Sequence, residues 1–264
     1  MKKIVFCDID GTIIDNIRGM YECSLKTKYS FNALKDDACA FIASGRCKCM
    51  LDKQLLSLEP QGFILANGAY AEYQGKVIYE RKFSIEMLEK IANYCLKNGL
   101  NYYFEDQERV YVNDMHNKLH YDFNYAWKLD DIYCEDDYHD KSINIVMIAC
   151  PSEELCQKAM AYLEPYLDVR HHHGFPSFDV NLRGNNKADA IEKVLDYLSI
   201  NKDNAFAFGD GLNDIEMLQT VKYGIAMANA YPELKAVAYD VTDDVLDDGL
   251  YSGLLKYSLI KPID

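Results

Sequence analysis

The chain has 264 residues, 49% of them hydrophobic, and a formal net charge of -14. That balance supplies a globular core and excludes a disordered chain, while the acidic surplus and the lack of a basic stripe exclude a nucleic-acid partner. The same charge repels a phosphorylated ligand at long range, so a phosphate site would have to gather positive charge locally, from a metal ion or a few placed cations.

No apolar run approaches the roughly 20 residues of a membrane span. Asp8 and Asp10 fall where a signal peptide needs its apolar stretch, so a cytoplasmic location and no membrane partner are expected. The nine cysteines are scattered, and Cys47 and Cys49 lack the paired spacing of a zinc site, which predicts reduced thiols.

In chain order, the apolar run Ile4 to Cys7 predicts a buried strand ending in Asp8-Ile9-Asp10-Gly11-Thr12. A second strand, Ala40 to Ala43, ends in Ser44-Gly45-Arg46. A helix is expected near Ile85 to Lys97, then paired strands at Asn101 to Phe104 and Arg109 to Val112. His116 and His120 share a possible helical face, read as a surface helix because no zinc-protease Glu follows the first. The acidic stretch Asp130 to Asp140 matches no calcium loop and reads as solvated. A strand at Ile143 to Ala149, a helix at Glu153 to Tyr166, and strands near Val169 and Phe178 to Leu182 follow. In His171-His172-His173, consecutive strand residues point to alternating faces, which argues against one ion held by all three.

Apolar residues at Ala188, Ile191, Val194, Leu195 and Leu198 predict a helix opened by Lys187. Ala205 to Phe208 is a third core strand, ending in Gly209-Asp210-Gly211; a helix begins at Ile215 after Asn213-Asp214, and a fourth strand spans Tyr223 to Met227. This alternation predicts an α/β fold, a Rossmann-like parallel sheet with helices on both faces, interrupted by an inserted α+β cap. The expected division is a core of residues 1–82 and 184–264 with a cap of residues 83–183, hinged near Arg81 to Ser84 and Leu182 to Asn185.

Ligands of open parallel sheets bind outside the carboxyl ends of the strands, which puts the weight on the residues just after each strand. Asp-x-Asp-Gly-Thr at 8–12, Ser44, Lys187 and Gly-Asp-Gly-x-Asn-Asp at 209–214, in this order, resemble the motifs of the haloacid dehalogenase (HAD) superfamily. The insertion, Asn67-Gly68-Ala69 and the segment Gly224 to Ala230 are similar to its Cof-type hydrolases. One departure is Ala188, where many relatives have Gly after the lysine; Ala is the better helix former.

The resemblance implies phosphoryl transfer from a small phosphorylated metabolite with Asp8 as nucleophile. Such chemistry needs a nucleophile, a metal, a proton donor and cations around the equatorial oxygens. Asp10 fits the acid and base. Asp8, the Asp10 carbonyl and Asp210 make a partial oxygen set for Mg²⁺, with Asp214 behind them. Ser44, Lys187 and Asn213, with Thr12, Gly11 and the N–H groups of Ile9 and Gly45, would hold phosphoryl oxygens. Arg46 and Asn67 are possible substrate contacts. The expected activity is hydrolysis of a sugar phosphate or phosphorylated cofactor; a phosphomutase and a non-catalytic metabolite-binding regulator are the alternatives. The cap is expected to act as a lid and to set specificity.

Overall fold

The structure is a computed structural model that describes residues 2–117, 132–172 and 174–263. Its contacts divide the chain into two compact units, one of Met1–Gly45, Asp52–Tyr79 and Asn186–Asp264, the other of Arg46–Leu51 and Glu80–Asn185. The division expected from sequence lies at 82/83 and 183/184; the contacts place it at 79/80 and 185/186 and add residues 46–51 to the second unit.

The first stretch contains β1 (Lys3–Cys7), α1 (Leu25–Asp37), β2 (Ala38–Ala43), α2 (Lys53–Leu56), β3 (Gly62–Leu65), β4 (Tyr70–Tyr73) and β5 (Lys76–Glu80). The middle contains α3 (Ile85–Asn98), β6 (Asn101–Glu105), β7 (Val110–Val112), β8 (Tyr133–Cys134), β9 (Ile145–Ala149), α4 (Glu153–Leu163), β10 (Asp168–His171) and β11 (Ser177–Asn181). The last contains α5 (Lys187–Leu198), β12 (Ala205–Gly209), α6 (Ile215–Thr220), β13 (Tyr223–Ala226), α7 (Pro232–Val237), β14 (Asp240–Val241) and α8 (Gly249–Lys256).

In the first unit the sheet order is β14-β13-β12-β1-β2-β3-β4-β5. Pairing is parallel from β14 to β3, and β4 returns antiparallel beside β3. Strand β1 sits between β12 and β2, with Ile4 opposite both Ala205 and Cys39. Ile4 and Phe6 join one core layer with Ala190, Ile191, Val194 and Leu195 of α5. Val5, Cys7, Ala40 and Ile42, on the other face, are equally buried, while α1 packs against β2 and α8. A sheet covered on both faces requires strands that are apolar throughout, which is the pattern of β1, β2 and β12.

The second unit has its own sheet, β10-β11-β9-β6-β7-β8, antiparallel apart from the parallel β7–β8 pair. Helices α3 and α4 bury Leu88, Ile91, Cys95, Cys156, Ala159 and Leu163 against one face. The other face collects Met50, Tyr103, Val110, Val112, Tyr133 and Met147, which explains why residues 46–51 belong to this unit. Lys48 N–H also donates to Gln107 Oε1 at 2.9 Å, and Cys49 Sγ to Asp106 O at 3.4 Å. The expected strand at Ile143 begins at Ile145, and the helix expected to reach Tyr166 ends at Leu163.

Candidate active site

The parallel register brings the carboxyl ends of β1, β2 and β12 to one edge of the first unit's sheet. Asp8 is the first residue after β1, tied to β12 by its N–H, which donates to Phe208 O at 2.9 Å. Lys187, the first residue of α5, is 1% exposed and donates from Nζ to Asp8 Oδ1 and to Asp214 Oδ1, both at 2.6 Å. Asp214 is fully buried, and its Oδ2 accepts the N–H groups of Asp210 at 3.1 Å and Gly211 at 3.0 Å. One carboxylate thus fixes both the lysine and the loop after β12. Ligand atoms of Asp8, Asp210 and Asp214 lie within 4.8 Å of one another.

Two glycines permit this closeness. Gly11 has φ +82°, and a Cβ there would run into the Asp210 carboxylate. Gly68 has φ +93°, and its Cβ would strike the carbonyl of Asn186, the N-cap that precedes Lys187. The Ala66–Gly68 turn, with Asn67 left-handed at φ 52°, is therefore pressed against the start of α5.

The model of the haloacid dehalogenase-like hydrolase family matches residues 5–254. YkrA of Bacillus subtilis (strain 168), named provisionally as a phosphatase, is 33% identical over 98% of this chain and 99% of its own. A hypothetical protein from Geobacillus kaustophilus HTA426 superposes with a TM-score of 0.88 at 32% identity, over 98% of this chain and 100% of that one. The HAD subclass IIB sugar phosphatase BT4131 superposes with a TM-score of 0.80 at 26% identity, over 98% and 100% of the two chains. The chain belongs to the haloacid dehalogenase-like hydrolases.

The electrostatics of this HAD-like hydrolase are those of a site short of positive charge. Burial raises the Asp8 carboxyl to about 7; Lys187 pulls it down, and Asp214 and Asp10 push it up. Asp210 is raised to about 8, first by burial and then by Asp8 and Asp214. Burial disfavours charge on Lys187, but Asp214 and Asp8 outweigh it and hold the ammonium above its ordinary range. Asp210 Oδ1 is buried with no hydrogen-bond partner among the described residues, and both oxygens of Asp214 are engaged. An orphaned carboxylate oxygen beside a second buried carboxylate fits a hard, oxygen-seeking divalent cation.

The remaining expected residues are placed as follows. Asp10 is exposed, and its charge reaches Asp8 and Asp210. Ile9 packs in the core, and Thr12 is buried with no hydrogen-bond partner for its Oγ1 among the described residues. Ser44 is 1% exposed directly after β2; its N–H donates to Ile64 O at 2.8 Å, and its carbonyl accepts Asn67 N–H at 3.2 Å. Gly45 passes close to the Asn67 side chain, which accepts from Asn213 Nδ2 at 3.2 Å. Asn67 thereby belongs with Ser44 and Asn213. Arg46 lies instead in the second unit, buried, donating from its Nη1 to Met50 O at 3.4 Å.

Asn229 has no role in the sequence reading, although its segment carries part of the resemblance. Its Nδ2 donates to Gly11 O at 2.7 Å and to Asp210 Oδ2 at 3.4 Å, and its Oδ1 accepts Val245 N–H at 3.0 Å. It locks the β1 and β12 loops together and leaves the other Asp210 oxygen open.

The histidine run diverges. His171 pairs with Glu153 at 3.1 Å, His172 with Asp179 at 3.1 Å, and His173 lies outside the described residues. His116 is exposed in a turn rather than a helix, and His120 lies outside the described residues. Of the acidic stretch, 130 and 131 lie outside them, and residues 135–137 and 140 are exposed. All nine cysteines are free.

Proposed function

We propose that this HAD-like phosphatase hydrolyses a small soluble phosphomonoester in the cytoplasm, in two steps through an aspartyl phosphate on Asp8, with Mg²⁺ as its cation. The observation that carries the reading is the buried ammonium of Lys187 bridging Asp8 and Asp214 at 2.6 Å beside Asp210. Such a cluster gives an ionised carboxylate a fixed direction of attack and surrounds it with groups that stabilise phosphoryl charge.

Asp8 Oδ attacks phosphorus while the bond to the leaving oxygen breaks, and the Asp10 carboxyl gives its proton to the departing alkoxide. Asp10, now a carboxylate, takes a proton from water as that water attacks the acyl phosphate. Inorganic phosphate leaves, Asp8 is regenerated and Asp10 is again protonated. Lys187, Ser44, Thr12, Asn213 and the N–H groups of Ile9 and Gly45 are proposed to hold the phosphoryl oxygens, with Gly11 permitting the close backbone approach. Asp8, the Asp10 carbonyl and Asp210 would hold Mg²⁺, which supplies charge stabilisation at those oxygens. The sugar phosphatase named among the solved structures supports a sugar phosphate as the substrate class.

The test separates two chemically similar carboxylates. Asp10→Asn keeps the nucleophile but loses the base of the second step, so an activated, radiolabelled phosphomonoester should leave label on Asp8. Turnover should fall about 10²- to 10⁴-fold. Asp8→Asn should trap nothing and fall to background. Label on another residue, or label retained in Asp8→Asn, refutes the mechanism. Transfer of phosphate to a second hydroxyl without release of free phosphate would make the enzyme a mutase instead.

A further inference from the structure

The second unit contains a cluster that the hydrolase chemistry does not use. Register places it: β9 Ile148 lies opposite β11 Phe178, which lies opposite β10 His171, so these three share one face of the sheet. Cys150, two residues beyond Ile148, continues on that face. Helix α4 covers the same face, with Cys156 fully buried against Ile148 and Phe178. Glu153, three residues before Cys156, lies on the same side of the first helical turn.

The side chains converge. Ligand atoms of Glu153, Cys156 and His171 lie within 4.8 Å of one another, and His171 Nε2 is 3.1 Å from Glu153 Oε2. Donors around one tetrahedral ion with Zn–S near 2.3 Å and Zn–N or Zn–O near 2.0–2.2 Å sit roughly 3.3–3.7 Å apart, so about an ångström of side-chain adjustment closes the set. The Cys150 thiol neighbours that of Cys156 but stands outside the set of three mutually close donors. Gln157 Nε2 donates to the other Glu153 oxygen at 2.6 Å, an outer contact that orients the carboxylate.

We infer that the second unit holds a metal site of its own, in which Cys156, His171 and Glu153 bind one zinc-class ion with water as the fourth ligand. The mixed sulfur, nitrogen and oxygen set selects a borderline metal over Mg²⁺, which takes oxygen alone. As the sulfur–metal bond forms, the Cys156 thiol proton passes to solvent. The site does not depend on the aspartyl-phosphate reading, because none of its residues belongs to the first unit.

The test is Co²⁺ titration of the metal-stripped full chain, held reduced by a phosphine, with excess Mg²⁺ present to occupy the carboxylate site. One equivalent of Co²⁺ should give tetrahedral visible bands and a near-ultraviolet thiolate-to-cobalt band, both displaced by Zn²⁺. Cys156→Ser should lose most of the sulfur band. His171→Gln, at a half-buried position where folding is least at risk, should weaken binding and alter the visible bands, with far-ultraviolet circular dichroism reporting the fold. A wild-type spectrum without a sulfur band, or one that His171→Gln leaves unchanged in both intensity and affinity, overturns the site.

Discussion

Replacing Lys187 by Met removes one charge from the bridge and almost no volume. The Nζ lies 2.6 Å from both Asp8 and Asp214 in a side chain 1% exposed, so the variant leaves two buried carboxylates without the cation that faces them. Removing one partner of a buried pair costs about 3–5 kcal/mol, against a total stability of about 5–15 kcal/mol. Asp8 can escape part of that cost by holding a proton, and this sets the pH dependence. Asp8 stands at about 7 with Lys187 pulling it down, so losing Lys187 drives it higher still. A carboxyl whose folded pKa lies above its unfolded value of about 4 contributes stability that is present below about pH 4 and lost as pH rises through the folded value. The penalty of Lys187→Met should therefore be small near about pH 5 and reach its full size by about pH 9. Urea unfolding of both proteins, followed by circular dichroism at the two pH values without divalent cation, measures it. A penalty equal at both pH values, or below about 1 kcal/mol at the higher one, refutes the proposed charge balance. Phosphatase activity of the variant should fall to background throughout.

Asp210→Asn keeps the shape of the loop but weakens an oxygen ligand, so half-maximal activity should need on the order of tenfold more Mg²⁺ or higher, measured by phosphate release across a Mg²⁺ series. Because Asp8 and Asp210 hold protons up to about 7 and about 8, cation binding must release them. Isothermal titration should then show apparent Mg²⁺ affinity rising by up to about tenfold per proton released per pH unit, flattening above about pH 8. An affinity constant from acid to neutral pH contradicts the raised carboxyls. Gly68→Ala forces a Cβ into the Asn186 carbonyl at φ +93°, and should cost about 1–3 kcal/mol and lower kcat by displacing Lys187; thermal unfolding and steady-state kinetics together check it.

The central strands were legible because a parallel strand covered on both faces is a continuous apolar run, and Ile4 to Cys7 and Ala205 to Phe208 are such runs. Much of the candidate site was legible for a related reason: Asp8, Ser44 and Asp210 stand immediately after buried parallel strands, where a polar residue has no packing role to explain it, and Lys187 opens a helix. Strand β3 gave less, since four apolar residues do not distinguish strand from helix. Helix α1 exposes Leu25 and buries Thr27 and Ser30, so no apolar stripe marks it. The placement of residues 46–51 depends on Met50 meeting Tyr103, Val110 and Met147, partners more than fifty positions away. Asn229 was invisible for the same reason, because its function is to join Gly11 and Asp210, and only the fold brings those together.

An acidic chain that binds phosphate has to solve its charge problem inside the site, and the arrangement of the three buried or half-buried aspartates indicates how. Asp214 spends both oxygens on the protein, one on Lys187 and one on two backbone N–H groups, so it orients and does not react. Asp8 shares the same ammonium, which leaves Lys187 too heavily engaged to neutralise Asp210 as well. Asp210 is therefore the carboxylate left over, buried, raised to about 8 and with one oxygen unpartnered. Its need is for a cation that accepts oxygen ligands, and a cation held there would lower Asp8 at the same time, because ligand atoms of the two carboxylates lie within 4.8 Å of one another. The nucleophile would then become fully ionised when the cation arrives. Lys187, with Asp214 and Asn229, would then hold the site together and the divalent ion make it reactive, which is why losing the lysine should damage folding and losing the ion should not.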